Sequence, residues 1–202
     1  MLNAAAFYFG KPEAPLFGWL HTPQPERTLP LGMVICSPFG FEEVCAHRSL
    51  GQLARVAAES GVATLRFDYA GCGNSSGSEM DPDTLTRWVA SIHQAVDTLK
   101  QRSGVQHVVL LGLRLGASLA AVAAAERSDV CGIVSIAPVV QGRLYLRELR
   151  ILAETAAGSA SRPVEQQSGL ESGGFLLTQE ATDDIGALDL RKSGFGSKDG
   201  PV

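Results

Sequence analysis

The chain is predicted to be α/β, a mainly parallel sheet with helices on both faces. Short apolar, β-branched runs alternate with longer segments of helical periodicity, the pattern of strands linked by crossover helices. The runs stop at turn-forming residues, Ser37-Pro38 and Ala137-Pro138 among them. Two stretches between strand and helix, Asp68 to Ser75 and Gly112 to Gly116, are rich in glycine. The 202 residues, 45% of them apolar, suffice for one core of ordinary size.

Ala5–Gly10 and Leu16–His21 flank Lys11-Pro12-Glu13-Ala14-Pro15 and read as an opening antiparallel hairpin. After a proline-broken loop over residues 22–30, Gly32–Cys36 is a buried strand, and a helix is expected from about Val44 to Ser60, closed by Gly61. Val62–Phe67 reads as a strand. Asp83 is expected to cap a helix running to Arg102, in which Leu85, Trp88, Val89, Ile92, Val96 and Leu99 recur every three or four residues and form one core-facing side. His107–Leu111 is a further buried strand, alanine-rich Leu115–Glu126 a helix, Val130–Ile136 a sixth strand, and Leu144–Ala157 an amphipathic helix. From Gly158 onward serine, glycine and acids predominate, with Phe175-Leu176-Leu177 and Ile185–Leu190 as short apolar runs. The expected division is a core over residues 1–157, a short cap-like or irregular segment over 158–190, and a disordered tail over 191–202.

Gly112-Leu113-Arg114-Leu115-Gly116 has the frame of a nucleophile elbow, the sharp strand-to-helix turn that lifts a serine oxygen above a sheet while flanking glycines let the two elements approach. Position 114 holds arginine instead. A guanidinium stays protonated and offers only donors, so it cannot attack a carbonyl.

Together with Asp68-Tyr69-Ala70-Gly71-Cys72-Gly73-Asn74-Ser75, this elbow resembles the α/β-hydrolase superfamily, in particular bacterial proteins similar to serine aminopeptidases and related carboxylesterases. The resemblance runs from about Phe7 to Leu190 and extends to Glu42-Glu43, to Cys45-Ala46-His47-Arg48 and to Tyr145-Leu146-Arg147-Glu148-Leu149. It implies hydrolysis of an ester, amide or peptide bond. Such enzymes run nucleophile, acid, histidine along the chain, but His21, His47, His93 and His107 all precede Arg114. No ordinary Ser-His-Asp turnover is therefore expected. The final strands of the fold are missing or degenerate, which fits a truncated hydrolase domain or an inactive pseudoenzyme.

Three side chains are weak candidates for a substitute catalytic group. Ser118 lies one helical turn past the apex and fits packing better than attack. Cys36, at a strand end, is equally a small buried hydrophobe. His47 can reach the pocket or simply pair with a helix neighbour. Asp68, Gly71 and Gly73 are expected to shape a turn, as Gly112 and Gly116 shape the elbow. Gly71 to Gly77 fails as a dinucleotide fingerprint because its third glycine is one residue late and no helix follows directly.

What the resemblance leaves intact is the electrophilic half of a site. Backbone N–H groups of Leu115 and of Phe39 or Gly40 take positions like those of an oxyanion hole, whereas Pro38 has no N–H to offer. Arg114 adds a positive charge at a helix N-terminus, where a small carboxylate, phosphate or ester ligand would be held. The competing expectation is that Arg114 pairs with Glu42, Glu43 or Asp68.

A net charge of −4, from 17 basic and 21 acidic residues without a basic stripe, excludes a nucleic-acid binder. Cys36, Cys45, Cys72 and Cys131 have neither zinc-ligand nor disulfide-framework spacing, so no metal or cofactor is expected. The first residues lack a basic start followed by a long apolar run, and no segment is long enough to span a bilayer, giving a cytoplasmic expectation with no membrane partner. An uncovered last strand would favour self-association.

Overall fold

A computed structural model describes residues 3–157 and 169–192. The six expected strands form one sheet. β1 (Asn3–Lys11) and β2 (Ala14–Thr22) are the opening hairpin, followed by β3 (Leu31–Cys36), β4 (Ala63–Phe67), β5 (His107–Leu113) and β6 (Val130–Ile136). Their order is β1-β2-β4-β3-β5-β6, antiparallel at the first two pairings and parallel at the other three. That order places the C-terminal ends of β3, β4 and β5 side by side, where the loops of an α/β sheet build their sites.

The crossover helices are α1 (Phe41–Glu59), α2 (Thr84–Ser103) and α3 (Leu115–Ala125). Alternation along β3 divides the core between the two faces of the sheet. Met33 and Ile35 join Leu50 and Ala54 of α1 in one cluster. Val34 and Cys36 join the larger cluster, which holds Ile92, Val96 and Leu99 of α2 with Leu115 and Leu119 of α3. The periodic residues of α2 thus face the core as their spacing predicts. α3 has almost no polar face because its Ala-rich turns are buried nearly all round.

Two termini differ from expectation. α1 begins at Phe41 rather than near Val44, because Gly40 at φ 67° turns its carbonyl toward the N–H groups of Glu43 and Val44. Asp83 stands at the start of α2, but in the left-handed region its carboxylate makes no capping bond; its carbonyl accepts from the Arg87 N–H instead.

α4 (Gly142–Ala157) follows β6. The hairpin β7 (Gly169–Ser172) and β8 (Phe175–Thr178) leads into α5 (Gln179–Ala187). The hairpin is a separate two-stranded sheet; α5 packs against α4, and Leu177, Ala181 and Ile185 join Tyr145, Leu146 and Leu149 of α4 in the larger core cluster. Of the apolar run expected over Ile185–Leu190, the first half is the end of α5 and the rest follows its C-terminus. Residues 158–168 and, of the tail expected over 191–202, residues 193–202 lie outside the described residues. β6 is an edge strand, with Val134 and Ile136 exposed. Among the described residues no helix is long and apolar enough to cross a membrane.

At the opposite end of the sheet, Asp129 accepts from Lys100 Nζ (2.6 Å) and from Arg127 Nε and Nη2 (2.8 Å each), joining the end of α2 to the start of β6. Its hydrogen bonds to Arg127 and then to Lys100 outweigh desolvation and hold its carboxyl well below the usual carboxylate range. A carboxyl depressed on folding contributes stability that is complete above the unfolded pKa and is lost as pH falls through the folded one. Asp129→Asn should therefore cost about 1 kcal/mol at pH 7, allowing for solvent screening. The difference from wild type should shrink below about pH 4, as measured by urea unfolding across that range.

Candidate functional site

The elbow is built as its glycines require. A Cβ on Gly112 would run into the backbone of Ala117, and one on Gly116 into the carbonyl oxygens of Cys36 and Ser37, so any side chain at either position would push α3 off the sheet. Between them Arg114 adopts φ 54° and ψ −121°, a conformation that costs a residue with a Cβ about 1 to 3 kcal/mol. It is held there by its N–H donating to the Ile136 carbonyl (3.0 Å) and by its own carbonyl accepting from Val139 (3.3 Å).

The guanidinium is not free. Nε donates to Glu42 Oε1 and Nη2 to Glu148 Oε2, each at 2.6 Å, and the guanidinium carbon lies 5.5 Å from the centroid of the Tyr145 ring. The Tyr145 hydroxyl completes the cluster by donating to Glu42 Oε2 (3.4 Å). Burial alone would lower the Arg114 pKa, but the bonds to Glu42 and Glu148 reverse the effect and raise it. Of the three partners expected, only Glu42 is used. Glu43 instead accepts from His47 Nδ1 (2.8 Å), and Asp68 accepts from the Asn74 N–H (2.9 Å). Glu148 was not foreseen as a partner; its only sequence signal is its place in the Tyr145–Leu149 stretch.

Beside the elbow lies a cavity of about 290 Å³ whose walls include Phe39, Gly40, Leu115 and Leu119. Phe39, Gly40 and Leu115, the residues expected to supply oxyanion-hole N–H groups, thus meet at one space. As the first residue of α3, Leu115 has an N–H without an intrahelical acceptor. Arg114 does not line this cavity. It borders a separate, open cleft of about 460 Å³ with Tyr145, Glu148 and Arg191, and Arg191 is itself paired with Asp189 (2.6 Å). The expected anion site at Arg114 is therefore corrected: the guanidinium is matched by two carboxylates that an anion would have to displace.

The substitute nucleophiles are also placed. Ser118 is fully buried and donates to the Val139 carbonyl (2.8 Å), a packing role. Cys36 is fully buried, and burial pushes its thiol up to about 12 despite a hydrogen bond with Tyr69. His47 is exposed and does not line the cavity; nor do His21, His93 or His107. Asp68 does line it, while its carboxylate also holds the following turn so closely that Gly73 has no room for a Cβ. Burial is the main cause that raises the Asp68 pKa, with the field of Glu43 adding to it and the Asn74 hydrogen bond opposing it.

Other lining residues escaped the sequence reading. Trp88, read as core, is also cavity wall, and its indole N–H is fixed on the Ala70 carbonyl (3.2 Å). Phe67, Tyr69, Trp88, Phe39 and Phe175 follow one another ring to ring at 5.0, 5.7, 5.5 and 6.0 Å. Gly174 and Phe175 belong to the β7–β8 hairpin, so the late segment covers the cavity. Glu43, Glu79 and Cys72 complete its polar lining, and burial is the main reason the Cys72 thiol is pushed up to about 12.

Two outcomes are expected. Arg114→Ala should lose about 1 to 2 kcal/mol of stability, and Arg114→Gly should lose about 1 kcal/mol less, because glycine accepts the elbow conformation without strain. Urea unfolding tests the order of the two. Brief alkylation with iodoacetamide at pH 7.5 should modify exposed Cys45 and Cys131 and spare Cys36, whose thiol is buried and protonated; mass spectrometry of the native and unfolded protein reads the difference.

Comparison with known proteins agrees with this geometry. No curated protein matches the chain. A lidless α/β serine hydrolase from Xanthomonas campestris superposes with a TM-score of 0.58 at 23% identity, covering 68% of this chain and 62% of its own. A Butyrivibrio proteoclasticus protein solved with ferulic acid gives 0.66 at 24% identity, covering 91% and 72%. A hypothetical protein from Pseudomonas aeruginosa gives 0.65 at 17%, covering 93% and 72%. The chain thus spans less than two thirds of the Xanthomonas protein, and likenesses at these identities establish the fold alone. The family model described as "Serine aminopeptidase, S33" matches residues 33–184, from the first parallel strand through the helix that follows the cavity hairpin. With three quarters of its length inside that match, the chain belongs to the serine aminopeptidase family of α/β hydrolases.

Proposed function

We propose that this protein is a hydrolase-fold ligand-binding protein without ordinary serine-hydrolase turnover. The observation that carries the reading is the fate of position 114. The apex that would present a nucleophile holds a guanidinium bound to Glu42 and Glu148 and directed away from the cavity. No histidine of the chain lines that cavity, so even a serine at the apex would lack a base. The enclosed space is retained, with aromatic walls and the backbone of Phe39, Gly40 and Leu115 around it, as suits binding of a small molecule.

A second reading has support from the exposed β6 edge and from the chain's 62% span of the Xanthomonas protein: a hydrolase domain that acts only when completed by further chain. The two readings predict different responses to added polypeptide, but the same inactivity of this chain alone.

Short-chain p-nitrophenyl esters should be hydrolysed no faster than roughly 10³ to 10⁴ over water, the residue left when a serine protease loses its triad. A fluorophosphonate probe should label no serine. Arg114→Ser should leave both results unchanged. Stoichiometric labelling of one serine in wild type would overturn the proposal.

A further inference from the structure

We infer that the cavity beside the elbow takes an organic ammonium cation carrying an apolar or aromatic body. The inference rests on the reading of this cavity as a ligand site and specifies the ligand's charge, which was expected from the sequence to be negative.

The lining holds three carboxylates, Glu43, Asp68 and Glu79, and neither lysine nor arginine. Three basic side chains stand outside the lining. Arg87 pairs with Asp81 at 3.0 Å, His47 bonds Glu43 from the exposed side of α1 (2.8 Å), and Arg66, packed against Gly51, offsets part of the charge of Asp68 and Glu43. Glu79 also accepts from the Leu176 N–H (3.4 Å), which fixes it at the hairpin that closes the cavity. Carboxylates facing a partly desolvated space are stabilised by a cation in that space.

The aromatic lining is an independent observation that suits the same charge. Trp88, Tyr69, Phe39, Phe67 and Phe175 surround the space. Ring faces carry negative electrostatic potential, and a cation set over several of them is attracted without needing a hydrogen bond, which is how aromatic cages hold quaternary ammonium groups. The rings are also rigidly set, through the Trp88 bond to Ala70 and that of Tyr69 to the Ser37 carbonyl (3.3 Å), so little ordering cost remains to be met on binding. A metal ion fits less well: among the described residues no group of His, Cys, Asp and Glu side chains could hold one.

The test uses benzyltrimethylammonium, with benzyl alcohol as neutral probe and phenylacetate as anion. Trp88 fluorescence reports binding once the chain's other tryptophan is removed by Trp19→Phe, at a partly exposed side chain of β2 that does not line the cavity. The ammonium should bind roughly tenfold or more tightly than benzyl alcohol, and phenylacetate more weakly than either. Glu43→Gln and Glu79→Gln should each weaken the ammonium several-fold while leaving benzyl alcohol unchanged, a control that also shows the cavity is still folded. Equal affinity for the three probes, a preference for phenylacetate, unchanged ammonium binding in both variants, or binding of none overturns the inference. Ester turnover or serine labelling would instead overturn the non-catalytic reading and leave the charge preference standing.

Discussion

The close packing of β5 against α3 is the constraint on which the rest of the site depends. Because no side chain fits at Gly112 or Gly116, α3 sits directly on the carbonyls of Cys36 and Ser37 at the end of β3. The turn then forces residue 114 into a strained positive-φ conformation, whatever its side chain. The same turn carries the Leu115 N–H to the edge of the cavity and ties the end of β6 to the elbow through the Arg114 backbone. These contacts involve backbone and missing Cβ atoms, so they survive replacement of the nucleophile. The architecture therefore does not depend on which side chain stands at the apex.

Arginine at the apex changes what the strain is used for. In a nucleophile elbow the strained residue presents an oxygen to substrate. Here it presents a cation to two helices, α1 through Glu42 and α4 through Glu148, with Tyr145 beside it. The consequence is a division of charge across the elbow. Successive helix residues point about 100° apart, so the adjacent acids Glu42 and Glu43 serve different places: Glu42 pairs with Arg114, and Glu43 lines the cavity with Asp68 and Glu79. The guanidinium stands outside the cavity, and the acidic and basic side chains that line it are all carboxylates.

Much of the fold was legible because its signals are local. The alternation of apolar runs marks all six strands, and the spacing from Leu85 to Leu99 marks the buried side of α2. The elbow glycines announce a strand-to-helix turn even without the nucleophile. Errors gathered where backbone geometry overrides residue preference: Gly40 starts α1 early, and left-handed Asp83 opens α2 without using its carboxylate. The late segment was the least legible. Its short polar elements, β7, β8 and α5, gain stability by burying Leu177, Ala181 and Ile185 in the core cluster shared with α2 and α4, which a local pattern does not record.

By itself the sequence determined the parallel core, the strand-to-helix turn and the arginine at its apex, since each depends on residues close together in the chain. Only the tertiary structure decided which carboxylates meet that guanidinium and which face the cavity. Glu148 lies 34 residues from Arg114, and Phe175 reaches Phe39 across more than half the chain. The charge of a site is a sum over whatever side chains the fold brings within a few ångströms. That sum is set by long-range packing, and no spacing in the sequence encodes it.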